Sequence, residues 1–163
     1  MRDESTKQAA QEYLATRLTE EQQRYEDEQN RATAIARSIV VWRRLRDSLL
    51  GQCREWNTIV GEEALTCTET PLGDLRVRCT SPPRQMTVHF DSRRLLVTIK
   101  NAGRPENEKD IVLHIEGYRT GPALDAPRDG HLVSVLTGEA VNLDMLLLAE
   151  LRVLTGMKRQ RDA

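Results

Sequence analysis

Residue types able to do chemistry cluster in four places along this chain. The stretch "LDAPRDGH" brings Asp125, Asp129 and His131 within seven residues, a set that offers two hard oxygens and an imidazole to a divalent cation. Aspartate, proline and glycine are also what a turn uses to set φ and to bond its own backbone, so the turn is the preferred reading and no metal or cofactor is assigned. Arg76, Arg78, His89, Lys100 and His114 share one parity within segments of alternating polarity. They are expected together on a single cationic sheet face, where an anion, an acidic segment or nucleic acid could bind. That face carries no aromatic residue on which bases would stack, and antiparallel sheets commonly leave one face wet.

The third place is the cysteines. Cys67 and Cys79 flank "TPLGD" almost symmetrically, with Cys53 upstream. A bridge across that hairpin, or a soft-metal site completed by Cys53, competes with the plain packing of reduced thiols, which is favoured in a reducing compartment. The fourth is "AIARSIVVWRRLRDSLLGQCREW", where Arg37, Arg43, Arg44, Arg46 and Arg54 are interleaved with bulky apolar residues. A DNA-reading basic helix keeps its groove-facing segment free of large apolar side chains. Here cations and apolar residues occupy the same turns, so a packed stripe flanked by ion pairs accounts for the pattern better.

The chain has no glycine-rich phosphate loop with lysine, no GxSxG, no HExxH and no CxxC, and so lacks the local signatures of the common catalytic sites. An enzyme is the less favoured class; the form kept open is a small metal-dependent hydrolase using the 125–131 loop.

These residues need elements to position them. No proline precedes Pro71 and no glycine precedes Gly51, which leaves about sixty residues without a strong helix breaker. Stepping by seven from Leu14 gives Glu21, Glu28, Ile35, Trp42, Leu49 and Trp56; the complementary line is Leu18, Tyr25, Ala32, Ile39, Arg46, Cys53 and Val60. This heptad predicts a helix from about Ser5 to Val60, adhesive in its second half and weak in its first. Gly51 is a place where it could kink. The seam Ile35, Ile39, Trp42, Leu49 and Trp56 is the expected association surface. Residues 1–30 hold eight acids and four bases, and residues 31–60 hold six arginines and two acids, so the helix is acidic first and basic second.

After Gly61 the period changes from helical to alternating. "ALTCTE", "LRVRC", "MTVHF", "LLVTIK", "DIVLHIEGY" and "HLVSVL" read as six strands, and their short connections dictate antiparallel pairing. "NLDMLLLAELRVLTG" reads as a closing helix with Asn142 as N-cap and Gly156 as its stop, apolar on too many sides to lie on a surface.

The fold class expected is therefore α+β: a long N-terminal heptad-patterned helix over 1–61, and over 62–163 an antiparallel sheet of about six strands with the C-terminal helix packed on it. The chain is expected to act by association, with itself as a homodimer or with another protein. Anion or nucleic-acid binding through the cationic face or the arginine cluster is the alternative. The apolar runs are too short for a membrane span, and MRDEST lacks a signal-peptide core. Three cysteines do not make a disulfide framework, and the expected compartment is the reduced cytoplasm.

Overall fold

The computed structural model describes residues 2–116 and 131–157. The stretch free of proline folds as one helix, α1 (Arg2–Val60), which stays helical through an exposed Gly51. Six strands follow: β1 (Leu65–Glu69), β2 (Leu75–Thr80), β3 (Pro83–Asp91), β4 (Leu96–Asn101), β5 (Ile111–Glu116) and β6 (His131–Ser134). The helix α2 (Leu143–Leu154) closes the chain. The protein is thus α+β with a six-stranded antiparallel sheet, and the strands lie side by side in the order of the sequence.

Local chemistry places the boundaries. Pro83 opens β3, at a strand start where a missing N–H is tolerated. In the connection to β4, Asp91 Oδ1 accepts from the N–H of Arg93 and of Arg94 at 3.0 and 3.1 Å, an Asx-type turn. Asn142 caps α2 by accepting from the N–H of Met145, and Gly156, at φ 79°, terminates it.

Residues group into two units, Met1–Ala36 and Arg37–Ala163. Gly61 separates helix from sheet, whereas packing assigns the last turns of α1 to the same unit as the sheet. In the first unit the helix has no core of its own, and every side chain from Asp3 to Thr33 is exposed. In the second unit a single apolar cluster joins three elements: Val41, Trp42, Leu45, Leu49 and Cys53 of α1; the inward parity of β1–β6, from Leu65 and Val77 to Ile115 and Leu132; and Leu147, Leu151 and Leu154 of α2. Alternation in the strands and the 3.6 period in both helices therefore meet on one face of the sheet.

Among the described residues, three polar residues occupy that apolar phase: Ser38 in α1, and the pair Asn101 and Glu150. Asn101 is the inward residue after Val97 and Ile99, and Glu150 lies on the Leu147–Leu151–Leu154 face of α2; both are buried. Asn101 Nδ2 donates to the Glu150 carbonyl at 2.9 Å and to its carboxylate at 3.0 Å. The carboxylate also pairs with the Arg104 guanidinium, and Asn101 Oδ1 accepts from the Gly103 N–H. The loop after β4 is thereby drawn against α2. A Cβ on Gly103 would come within 2.2 Å of the Val153 carbonyl oxygen. Gly103→Ala is accordingly expected to cost about 1–3 kcal/mol, the range of overpacking substitutions, measured as a lower urea midpoint at unchanged slope.

Candidate functional site

The five residues of the expected association seam do not share one fate. Leu49 is fully buried in the chain's own core, and Trp42 stacks on Phe90 with ring centroids 5.3 Å apart and planes 13° from parallel. Trp56 is half-buried against the same core. Ile35 is half-buried, and Ile39 is exposed. The seam as a whole is therefore not a surface awaiting a partner: Trp42 and Leu49 are occupied internally. The line through Trp42, Leu49 and Trp56 does face inward, but its companion line begins with Ser38 and Leu45, one residue earlier than Ile39 and Arg46, before Cys53 is buried as expected. Val41 and Cys53 widen the buried stripe. A helix lying on a sheet and on a second helix buries a broad band at period 3.6, where a two-stranded coil would bury a narrow one at 3.5.

The parity reading of the sheet holds in its register. Arg76 lies opposite Thr87 and Thr87 opposite Lys100; Arg78 lies opposite Gln85, His89 opposite Thr98 and His114 opposite Leu96. All five cationic candidates consequently share the face turned away from the core. That face also carries acids. His89 Nδ1 meets Asp74 Oδ1 at 2.6 Å, and His114 Nδ1 lies 3.3 Å from Glu116 Oε1. Both imidazoles are thus engaged with carboxylates, and the other three candidates are Arg76, Arg78 and Lys100. The Arg76 Nε is buried without a hydrogen-bond partner. Half-buried Leu96 and Val112 lie among these groups, so the face is mixed in character.

Asp125 and Asp129 lie outside the described residues, as does the side chain of His131. Among the described residues no group of three or more His, Cys, Asp or Glu is placed to hold a metal ion, and no helix is long and apolar enough to cross a membrane.

Comparison with protein-family models, curated proteins and solved structures returns no match. What the chain can do is therefore read from its surfaces.

Among the described residues, two exposed apolar surfaces involve the helices. One is a groove of about 360 Å³ between the end of α1 and the start of α2, lined by Trp56, Ile59, Met145 and Leu148 with Glu55 and Asp144 as its charged groups. Met145 and Leu148 are exposed, so α2 does leave an apolar edge in solvent. Gln52 Nε2 donates to the Asp144 carbonyl, and Ser48 Oγ donates to its carboxylate, which fixes the two helices at that point. The other surface is the first half of α1, where Leu14, Leu18 and Tyr25 are 56%, 64% and 63% exposed. Their separations of four and seven place them along one side of the helix.

Cysteine positions also differ from the symmetric hairpin picture. Cys67 lies opposite Val77, and Cys79 opposite Leu65, so the two thiols are diagonal and not directly paired. All three cysteines are free, and the Cys53 thiol of α1 is close enough to Cys67 to lower its pKa.

Proposed function

We propose that the protein is an association module whose first helical segment, residues 3–33, pairs in antiparallel sense with α1 of a second copy. One observation carries this reading: thirty-one consecutive helical residues have every side chain exposed. In water such a segment is only marginally stable, because most helical stability in proteins comes from burying a face. Its internal contacts, such as Arg17–Glu21 and Gln23–Asp27, add only about 0.2–0.5 kcal/mol each. A docked partner supplies the missing burial through Leu14, Leu18 and Tyr25.

Charge selects a second copy as that partner. Eight acids and four bases in residues 1–30 face two acids and six bases in residues 31–60 when two copies run antiparallel. A parallel pair would set like against like. The expected solution mass is that of a dimer, weakening with salt as exposed pairs are screened over about 8–10 Å.

Light scattering on charge-changed variants tests both the pairing and its sense. With Glu20, Glu21, Asp27 and Glu28 changed to Lys, the chain should be monomeric, as it should with Arg31, Arg43 and Arg54 changed to Glu. Mixed together, the two variants should form a heterodimer. Replacing Leu14, Leu18 and Tyr25 by Asn should also give a monomer, with thermal unfolding of the sheet changed by no more than about 0.5 kcal/mol per exposed site. A wild-type chain that stays monomeric at high micromolar concentration in low salt overturns the reading.

A further inference from the structure

The end of α1 is held against the open edge of the sheet by an unusual clamp. Asn57 Oδ1 accepts from the Leu65 N–H at 2.9 Å while its Nδ2 donates to the Leu65 carbonyl at 2.7 Å. One side chain thus plays the part of a neighbouring strand at the first residue of β1. Cys53 lies one helical turn before Asn57, and Cys67 two residues after Leu65 on the same inward parity, so both extend from the clamp into the one apolar cluster, Cys53 within it and Cys67 packed against it. Cys53 is buried in the core, whereas Cys67 is half-buried at the rim of that cluster.

We propose that Cys67 and Cys53 form a peroxide-responsive dithiol, in which Cys67 is the thiol oxidised and Cys53 the thiol that resolves it into an intramolecular disulfide. The two sulfurs are unequal in the way this division requires. Hydrogen bonding to the neighbouring Cys53 thiol lowers the pKa of Cys67, against the opposing effect of burial. The same hydrogen bond raises that of Cys53, with burial and the charge on Cys67 adding to it. Access selects the oxidisable cysteine together with thiolate character, and half-buried Cys67 is the more accessible of the two, Cys53 being buried.

Hydrogen peroxide is the oxidant. The Cys67 thiolate attacks one peroxide oxygen, the O–O bond breaks, and the departing hydroxide takes up the proton lost from Cys67 to leave as water. Cys67 becomes a sulfenic acid. The Cys53 sulfur then attacks the Cys67 sulfur as its proton passes to the departing hydroxide; the S–O bond breaks, the S–S bond forms, and a second water is released. Two thiols and one peroxide give one disulfide and two waters. Cys79, buried two register positions away opposite Leu65, is an internal control.

Peptide mass mapping of the full chain after hydrogen peroxide treatment tests the proposal. The expected product is a Cys53–Cys67 cross-linked peptide, lighter by two hydrogen atoms, with Cys79 still a thiol. Closing that loop should raise Tm by roughly 5–10 °C, reversibly by dithiothreitol. In Cys53→Ser, Cys67 should instead be trapped as a sulfenic acid by dimedone; in Cys67→Ser, peroxide should give no cross-link. Oxidation of Cys79 ahead of Cys67, a disulfide only between chains, or a Cys67 untouched at peroxide concentrations that oxidise free cysteine would each overturn it. The wild-type mapping decides the matter even where a serine variant fails to fold.

Discussion

Replacing Glu150 by alanine is expected to destabilise the protein by about 3–5 kcal/mol, the cost of removing one partner from a buried ion pair. Glu150 is 2% exposed and the Arg104 side chain 9%, so the guanidinium left behind would be held largely out of water with only the more distant Glu108 carboxylate, 3.9 Å from its Nε, beside it. Asn101 would lose an acceptor as well. The double change Glu150→Leu with Arg104→Met should recover most of the loss, since replacing a whole buried pair with apolar groups is often neutral or better. Urea unfolding of the two variants measures both effects. A single variant as stable as the wild type would show that water reaches Arg104.

Trp42→Ala is expected to cost a similar amount, about 3–5 kcal/mol, as large aromatic core truncations do. Trp42 is one of only six aromatic residues in the chain, and it stacks on the half-buried Phe90. The near-ultraviolet dichroism of that pair should vanish, and thermal unfolding should shift down. Association at temperatures where the variant is still folded should persist, because the proposed pairing runs through Leu14, Leu18 and Tyr25. A Trp42→Ala protein that unfolds like the wild type but no longer associates would reverse the assignment and return Trp42 to an intermolecular surface.

Strand parity was legible because alternation is a strictly local property. The residues of "LRVRC", "MTVHF" and "LLVTIK" sort themselves between core and solvent without knowledge of their neighbours, and Asn142 and Gly156 announce α2 by cap chemistry alone. The heptad was legible in one line and not in the other. Trp42, Leu49 and Trp56 face inward on either period, whereas choosing Ser38 and Leu45 over Ile39 and Arg46 requires knowing that the helix rests on a broad surface. Sequence polarity even opposes that choice, since Ser38 is buried while Ile39 is exposed. The Asn101–Arg104–Glu150 network did leave a signal: a polar residue in the inward phase of β4, and another in the apolar phase of α2. Only tertiary docking tells which polar residues answer each other across 49 positions. The pairing of Cys53 with Cys67 was hidden for the same reason, since it depends on where a helix end meets a strand edge.

The separation between α1 and α2 has a consequence for synthesis on the ribosome. Ser48 and Gln52 bond to Asp144 across 96 and 92 residues, and Leu45 and Leu49 share a core with Leu147 and Leu151. At translation rates of about 5–20 residues per second, the stripe on α1 emerges roughly 5–20 s before the last part of its cover is made. The meander of strands can zip up hairpin by hairpin as it appears and can cover Trp42 with Phe90, but the part of the Leu45 and Leu49 surface that awaits α2 stays open until then. Crowded polysomes would bring several such stripes together. The chain thus has a window in which chaperones or neighbouring nascent chains meet a sticky helix that the finished protein no longer displays.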